Sequence, residues 1–369
     1  MTSFQPKIHQ KKTLPLFYKA AQLVEIKKPL IINNIKTPTL DKSQVLVRVK
    51  ATGVCHSDLH LVEGSYDLGR GEILKVAERG VKLPLVPGHE IAGIIAKTGG
   101  EVNGFQIGDK VIVYPWIGCG KCQTCRSGNE NLCDWPKSIG IFQDGGYAEF
   151  VVIPDSKYLI RIQTEDLEGY ASLTCAGLTA YNAIKKANSK PGPQTIMIVG
   201  AGGLALMAIQ IAKEITSAKI ICVARNQKKL EKAKESGADH IIDSTSKGYV
   251  QDILSLCNDK GPESIVDFVN VPETVKVDIE VLPKRGNLVL VGLFGGSIKI
   301  PLVNFPLKAI TIQGAYTGSY QDLVELTDLA EKNLIKPIAT KKYSLNEINQ
   351  ALEDLKQKQI IGRAVIVPT

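Results

Sequence analysis

Four cysteines, Cys119, Cys122, Cys125 and Cys133, are spaced C-x2-C-x2-C-x7-C, with Gly120 and Gly128 free to bend the backbone between them. Thiolates are soft ligands, and four of them on one short loop suit a closed, tetrahedral structural zinc site. The alternative is a disulfide pair or four idle thiols. No secretory signal precedes them, and thiols in a cytosolic compartment stay reduced. Two overlapping C-x2-C steps also differ from a finger or ribbon, in which a long insert separates the ligand pairs. The loop at about 115–135 therefore reads as a lobe carried by a larger fold.

A second set of ligating residue types is scattered along the chain. Cys55, His56, Ser57, Asp58 and His60 follow an expected strand, His89 and Glu90 follow Pro87 and Gly88, and Cys175 opens an expected helix. Two thiolates and an imidazole leave a zinc ion one open position for water or substrate, which is what a catalytic site requires. Each residue alone would be an ordinary buried cysteine or polar histidine; the argument rests on their occurring together.

Ile196 to Ala205 fits the G-x-G-x-x-G/A turn between a strand and a helix. Gly200 makes the tight turn, Gly202 lets the backbone approach a pyrophosphate, and the helix opening at Gly203 and Leu204 presents its positive end to that charge. Placed after a buried strand and before a helix, the turn implies a dinucleotide site. The end of the next strand discriminates between dinucleotides. NAD enzymes carry an acidic residue there for the ribose 2′-hydroxyl, whereas a neutral residue with a nearby arginine accommodates a 2′-phosphate. Here the strand ends in Val223, Ala224, Arg225 and Asn226, so NADP(H) is expected in preference to NAD(H).

These residues need two kinds of scaffold. A chain of 369 residues is long enough for two domains. Residues 45–154 are rich in glycine, cysteine and short β-branched runs, the pattern of an irregular β-rich domain. From about Ala180 strands alternate with amphipathic helices, the pattern of a doubly wound parallel sheet. The expected division is a catalytic domain over 1–180, a cofactor domain over 181–317, and a return over 318–369 to pack on the first domain. The net charge of +8 comes from dispersed lysines and arginines, which argues weakly for anionic small ligands and against nucleic acid. Met1 to Thr13 reads as a frayed tail, and no apolar run approaches a membrane span, so a soluble, cytoplasmic protein is expected.

Taken together, the zinc motifs, the cofactor turn and the closing Ile361, Gly362 and Arg363 resemble the zinc-dependent medium-chain alcohol dehydrogenase family over nearly the whole chain. The runs Val81 to Gly93 and Val291 to Gly295 are most like its archaeal tetrameric branch. The resemblance implies an α/β architecture with a GroES-like catalytic domain and a Rossmann cofactor domain. It implies two zinc ions per chain: Cys55, His89 and Cys175, with Glu90 as an occasional fourth ligand, for the catalytic ion, and the four cysteines of the lobe for the structural one. It further implies a proton relay through Ser57 and His60, Asp58 fixing the His89 tautomer, His56 and Arg363 on the pyrophosphate, and Thr179 against the nicotinamide. Trp116 and Phe294, with the region of Trp135, match pocket walls, and a homotetramer is the expected assembly.

The expected reaction is hydride transfer between NADP(H) and an aldehyde or primary alcohol, in the reductive direction, with succinate or malonate semialdehyde as the substrate class. The alternative is an NAD-dependent dehydrogenase of simple aliphatic or aromatic alcohols, or a zinc-dependent polyol dehydrogenase. Cysteine rather than glutamate at position 175 favours the alcohol branch over the polyol branch.

Overall fold

In the computed structural model, which describes residues 14–188, 194–338 and 341–368, two separate sheets carry the candidate residues. The tail expected over Met1 to Thr13 lies outside the described residues.

The first sheet is built on the strand Val45–Val54, whose apolar residues are buried on both faces. It pairs antiparallel with Glu90–Thr98 on one side and with Ala364–Val367 on the other. Thus the last strand of the chain closes the first sheet. Gly53 lies opposite both Glu90 and Val365 in register. That register explains how residues more than thirty positions apart meet: Cys55, just past one strand, and His89, just before its antiparallel neighbour, fall side by side.

The second sheet is six-stranded and parallel, in the spatial order His240–Asp243, Lys219–Ala224, Thr195–Val199, Ser264–Asp267, Asn287–Leu290, Thr311–Gly314. This is the doubly wound order, with the crevice for a dinucleotide where the chain reverses direction beside the first strand. Residues Thr195–Val199 and the helix Gly203–Ile215 are almost wholly apolar and buried, and that helix packs on Ala176–Ala187. The junction helix thereby rests on the cofactor sheet, and Cys175 is its N-cap residue.

Three parts of the fold lacked a sequence signal. Helices Tyr249–Leu256 and Pro272–Val281 complete the crossovers, and a hairpin of Ser65–Gly69 and Glu72–Lys75 projects from the first domain. The hairpin strands are only five and four residues long and turn about Gly69 and Gly71, too short a run for alternation to mark them. Among the described residues no helix is long and apolar enough to cross a membrane.

One buried acid makes the second sheet sensitive to pH. Asp267 ends its strand and accepts hydrogen bonds from Val269 N, Asn270 N and Thr274 Oγ1. Asp278, buried on the neighbouring helix, is pushed well above the usual carboxylate range, by desolvation first and then by the Asp267 charge. A folded-state pKa above the ordinary aspartate value of 3.8 means that the folded protein holds the extra proton, so stability is full below that value and is lost as pH rises through the folded pKa. One proton gives a slope of at most about 1.4 kcal/mol per pH unit. Asp278→Asn, which stays neutral and can still donate to Asp267, should remove that slope. Urea midpoints at pH 5 and pH 8 should therefore converge in the variant; an unchanged wild-type slope would show that Asp278 is not its source.

Candidate active site

The cysteine lobe is built from turns. Cys122 caps the short helix Gln123–Arg126, its sulfur accepting from Cys125 N, and Cys133 follows the turn Glu130–Leu132. Gly120 and Gly128 take positive φ, at 75° and 83°, where a side chain would be strained. Glu130 ties the lobe to the first domain by accepting from Gly118 N and Tyr158 Oη. The sulfur separations are 3.4 Å for Cys122 and Cys125, 3.8 Å for Cys122 and Cys133, and 4.0 Å for Cys119 and Cys125. A disulfide requires about 2.05 Å, whereas tetrahedral zinc with bonds of about 2.3 Å spaces its sulfurs roughly 3.8 Å apart. Backbone N–H groups of Cys119, Cys122 and Trp135 also point at the sulfurs. N–H bonds from Lys121 and Cys122 bring the Cys119 thiol down to about 6, while burial pushes Cys125 up to about 12. The donor set and its spacing fit zinc.

The second cluster is fully inside the protein. One ligand atom each from Cys55, His89, Glu90 and Cys175 lies within 4.8 Å of the others. Cys55 caps the helix His56–Glu63, and Asp58 in the first turn accepts from Cys55 N at 2.9 Å through Oδ2. The same oxygen accepts from Tyr147 Oη at 2.7 Å. Asp58 Oδ1 stands 3.3 Å from His89 Nδ1, off hydrogen-bond alignment. His89 Nε2 is buried without a protein partner. An unpaired ring nitrogen beside two thiols is the feature that fits a cation with affinity for nitrogen and sulfur. Burial disfavours a charged His89, but the Asp58 carboxylate and Cys55 outweigh it and raise the imidazole to about 10. The Cys55 thiol is held well below its usual range by the hydrogen bond with Cys175, aided by Arg363 and His89.

Glu90 belongs to the cluster, but its carboxylate is turned to Arg363, whose Nε donates to Oε2 at 2.9 Å and whose Nη2 donates to Oε1. Glu90, expected as an occasional fourth ligand, and Arg363, expected on the pyrophosphate, are thus paired with each other while Glu90 stays within the cluster. Buried side by side, the two opposite charges satisfy each other. Gly53 makes room for the pair, because a Cβ there would lie 1.9 Å from Glu90 Oε2.

Around the cluster, Trp116 packs 5.3 Å from the His89 ring and its Nε1 donates to Thr174 O. Ser57 Oγ is 3.8 Å from Cys55 Sγ. His60 packs 4.6 Å from Tyr66, and burial lowers its pKa from the ordinary histidine value of 6.5. His56 lies 5.1 Å from Phe294, and Trp135 is exposed. Thr179 sits one turn into the helix from Cys175, to whose carbonyl its N–H donates.

At the dinucleotide turn, Gly200 has φ 101° and donates to Val223 O. No atom comes within 4 Å of a Cβ built on Gly202, so its face is open. A Cβ on Gly203 would lie 2.6 Å from Gly362 O, so the returning C-terminal segment meets the cofactor sheet's first helix at its N-terminus. Leu204 is half-buried against the core. Arg225 is exposed just past the strand, whereas Asn226 caps the next helix by accepting from Lys229 N. Asp243, in register with Ala224, already accepts from Thr245 N and Oγ1 through Oδ1. Sequence reasoning missed Tyr147, Tyr66 and Tyr316, for which no motif exists; only the fold brings them to the site.

Residues 41–164 match the alcohol dehydrogenase GroES-like domain family, and residues 203–332 match the zinc-binding dehydrogenase family. The chain is similar to proteins named NAD-dependent alcohol dehydrogenase from Sulfurisphaera tokodaii, at 41% identity over 95% of this chain and 100% of the relative, and Saccharolobus solfataricus, at 40% identity over the same shares. A crystal structure of the alcohol dehydrogenase from the hyperthermophilic archaeon Aeropyrum pernix superposes with a TM-score of 0.86, at 35% identity, covering 95% of this chain and 100% of the other.

If both clusters hold zinc, elemental analysis should give two ions per chain. Cys122→Ser should lose one and lower the unfolding temperature, whereas Cys175→Ser should lose the other with little change in that temperature. A single zinc in the wild type, or a Cys122→Ser protein of undiminished stability, would refute the assignment.

Proposed function

Because this chain belongs to the family of zinc-binding alcohol dehydrogenases with a GroES-like domain, we propose that it transfers a hydride between a nicotinamide dinucleotide and an alcohol or aldehyde at Cys55, His89 and Cys175. In the balanced reaction, aldehyde, reduced nicotinamide and one proton give alcohol and oxidised nicotinamide. The observation that carries this reading is the buried, unpaired His89 Nε2 between two thiols, in a chain whose second sheet holds an open glycine turn.

Zinc bound there supplies a Lewis acid for the carbonyl or alkoxide oxygen. The protein's own residues do the rest. Asp58 holds the Nδ1 side of His89, so that Nε2 is the nitrogen that would give up its proton to a metal. Cys55 N and Tyr147 Oη hold Asp58 in turn. Ser57 is placed beside the cluster to pass a proton. His60, neutral near pH 7 because burial lowers its pKa, accepts that proton in alcohol oxidation.

The printed names of the relatives support an NAD-linked enzyme of alcohols better than an NADP(H)-linked semialdehyde reductase. A second reading of the cofactor rests on this chain alone. Ala224 offers no carboxylate to a ribose, and exposed Arg225 suits a 2′-phosphate.

Two measurements test these roles. His60→Ala should lower alcohol oxidation near neutral pH about 100-fold while zinc content stays constant. The wild-type rate should fall as pH drops through the His60 pKa, below 6.5, because the protonated ring can no longer accept; the variant should lack that limb. An unaltered pH profile would remove His60 from the relay.

For the cofactor, NADPH and NADH should be compared side by side in the wild type and in an Ala224→Asp, Arg225→Ser variant. Loss of a charge-assisted bond of about 1.5–3 kcal/mol should weaken NADPH roughly 10-fold to 100-fold and let NADH gain. A wild type that prefers NADH would leave Arg225 as a surface residue.

A further inference from the structure

The hairpin Ser65–Lys75 leads into the turn Val76–Arg79, which Gly80 closes with φ 92°. The Arg79 guanidinium lies 5.2 Å from the Tyr66 ring centroid and 6.0 Å from that of Phe142. Among the described residues no carboxylate comes within the 4.0 Å of an ion pair with it. Its neighbour Glu78 is engaged elsewhere, accepting from Lys75 N. Arg79 is half-buried, so its charge is only partly served by water.

Ring contacts link this cation, through Tyr66, to His60 on the helix that opens at Cys55, and a separate pair of ring contacts lies against His89. Tyr66 packs on His60 at 4.6 Å. Tyr316 packs on Trp116 at 5.9 Å, and Trp116 packs on His89 at 5.3 Å. Burial pushes the Tyr66 hydroxyl up to about 12, against the pull of Arg79. The hairpin is also fixed against the cofactor domain. A Cβ on Gly69 would meet Gly296 C at 2.7 Å, and one on Gly295 would meet Asp67 O at 2.3 Å. The hairpin that carries Tyr66 is therefore closely packed, and Tyr66 meets His60, four positions after the start of the helix that Cys55 caps.

We propose that Arg79 is an anion subsite of the active centre, which takes the carboxylate of a short ω-hydroxy or ω-oxo acid whose other end reacts at Cys55, His89 and Cys175. The inference rests on the hydride-transfer reading above and names the substrate class of the same site. A guanidinium binds a carboxylate through two parallel, charge-assisted hydrogen bonds, and stacking on Tyr66 and Phe142 orients the fork beforehand. A neutral alcohol leaves that half-desolvated charge without a partner, so the subsite discriminates by charge as well as by fit.

The test compares 4-oxobutanoate, its methyl ester and butanal as substrates of the zinc-loaded enzyme, in wild type, Arg79→Gln and Arg79→Lys. The wild type should favour the acid in kcat/KM. Arg79→Gln should lower the ratio of acid to butanal about 10-fold to 100-fold, chiefly through KM of the acid, and Arg79→Lys should restore part of it. A wild type that prefers the ester, or an Arg79→Gln variant that loses acid and butanal equally, would overturn the proposal. Calorimetry with 4-hydroxybutanoate and butan-1-ol reads the subsite without turnover. Absence of hydride transfer from any substrate would refute the enzymatic reading, while Arg79-dependent binding of the acid alone would still support the subsite, and Arg79-independent binding would refute it.

Discussion

A carboxylate sealed from water is costly unless hydrogen bonds or a nearby cation compensate it, and Asp58 is the carboxylate on which this molecule is organised. One oxygen accepts from Cys55 N and Tyr147 Oη, and the other faces His89. These partners come from the first helix, from the segment before Phe150–Ile153, and from the entry to Glu90–Thr98. Satisfying one anion therefore fixes two candidate metal ligands relative to each other. It also sets the imidazole tautomer, since an anion beside Nδ1 draws the proton there and leaves Nε2 for a cation.

A second buried pair ties distant chain segments to the same spot. Glu90 and Arg363 are joined inside the protein, with Gly53 cleared of any side chain to admit them. Arg363 directly precedes the strand that closes the first sheet, and Gly362 touches Gly203 at the dinucleotide turn. The final residues thus contact both the catalytic cluster and the cofactor helix. Breaking such a pair by removing one partner leaves an uncompensated charge, typically a loss of about 3–5 kcal/mol. Its placement makes the return of the chain to the first domain a condition for the site, and not only for the sheet.

What the sequence disclosed follows from how local the chemistry is. The lobe from Cys119 to Cys133 and the turn from Gly200 to Leu204 are each written in one short stretch, and their residue types allow few other readings. The alternating strands and helices after Ala180 were legible because buried parallel strands are nearly continuous apolar runs. Tyr147 and Arg79 were not legible, because each acts through partners dozens of residues away and neither belongs to a spaced motif. Arg363 shows a subtler limit: its position was identified, but its orientation depends on Glu90, 273 residues earlier. The hairpin escaped because it is stabilised by packing against Gly295 and Gly296, and not by its own composition.

Membership of a family and choice of cofactor rest on different physical scales. The fold depends on hundreds of buried contacts, so 41% identity is ample to preserve it. Discrimination between a ribose hydroxyl and a phosphate depends on one or two side chains at the end of Lys219–Ala224, a region that contributes little to the core beyond that strand. An exposed Arg225 can be exchanged without disturbing the sheet, and Asn226 is already committed to capping the following helix. Asp243, at the same level one strand away, spends Oδ1 on Thr245. The local electrostatics of this edge, a cation with no carboxylate at position 224, can therefore diverge from relatives whose fold and metal chemistry are shared. The same separation of scales applies at Arg79, where one cation on the turn after the hairpin can change the charge of the preferred substrate while the machinery of hydride transfer stays as it is.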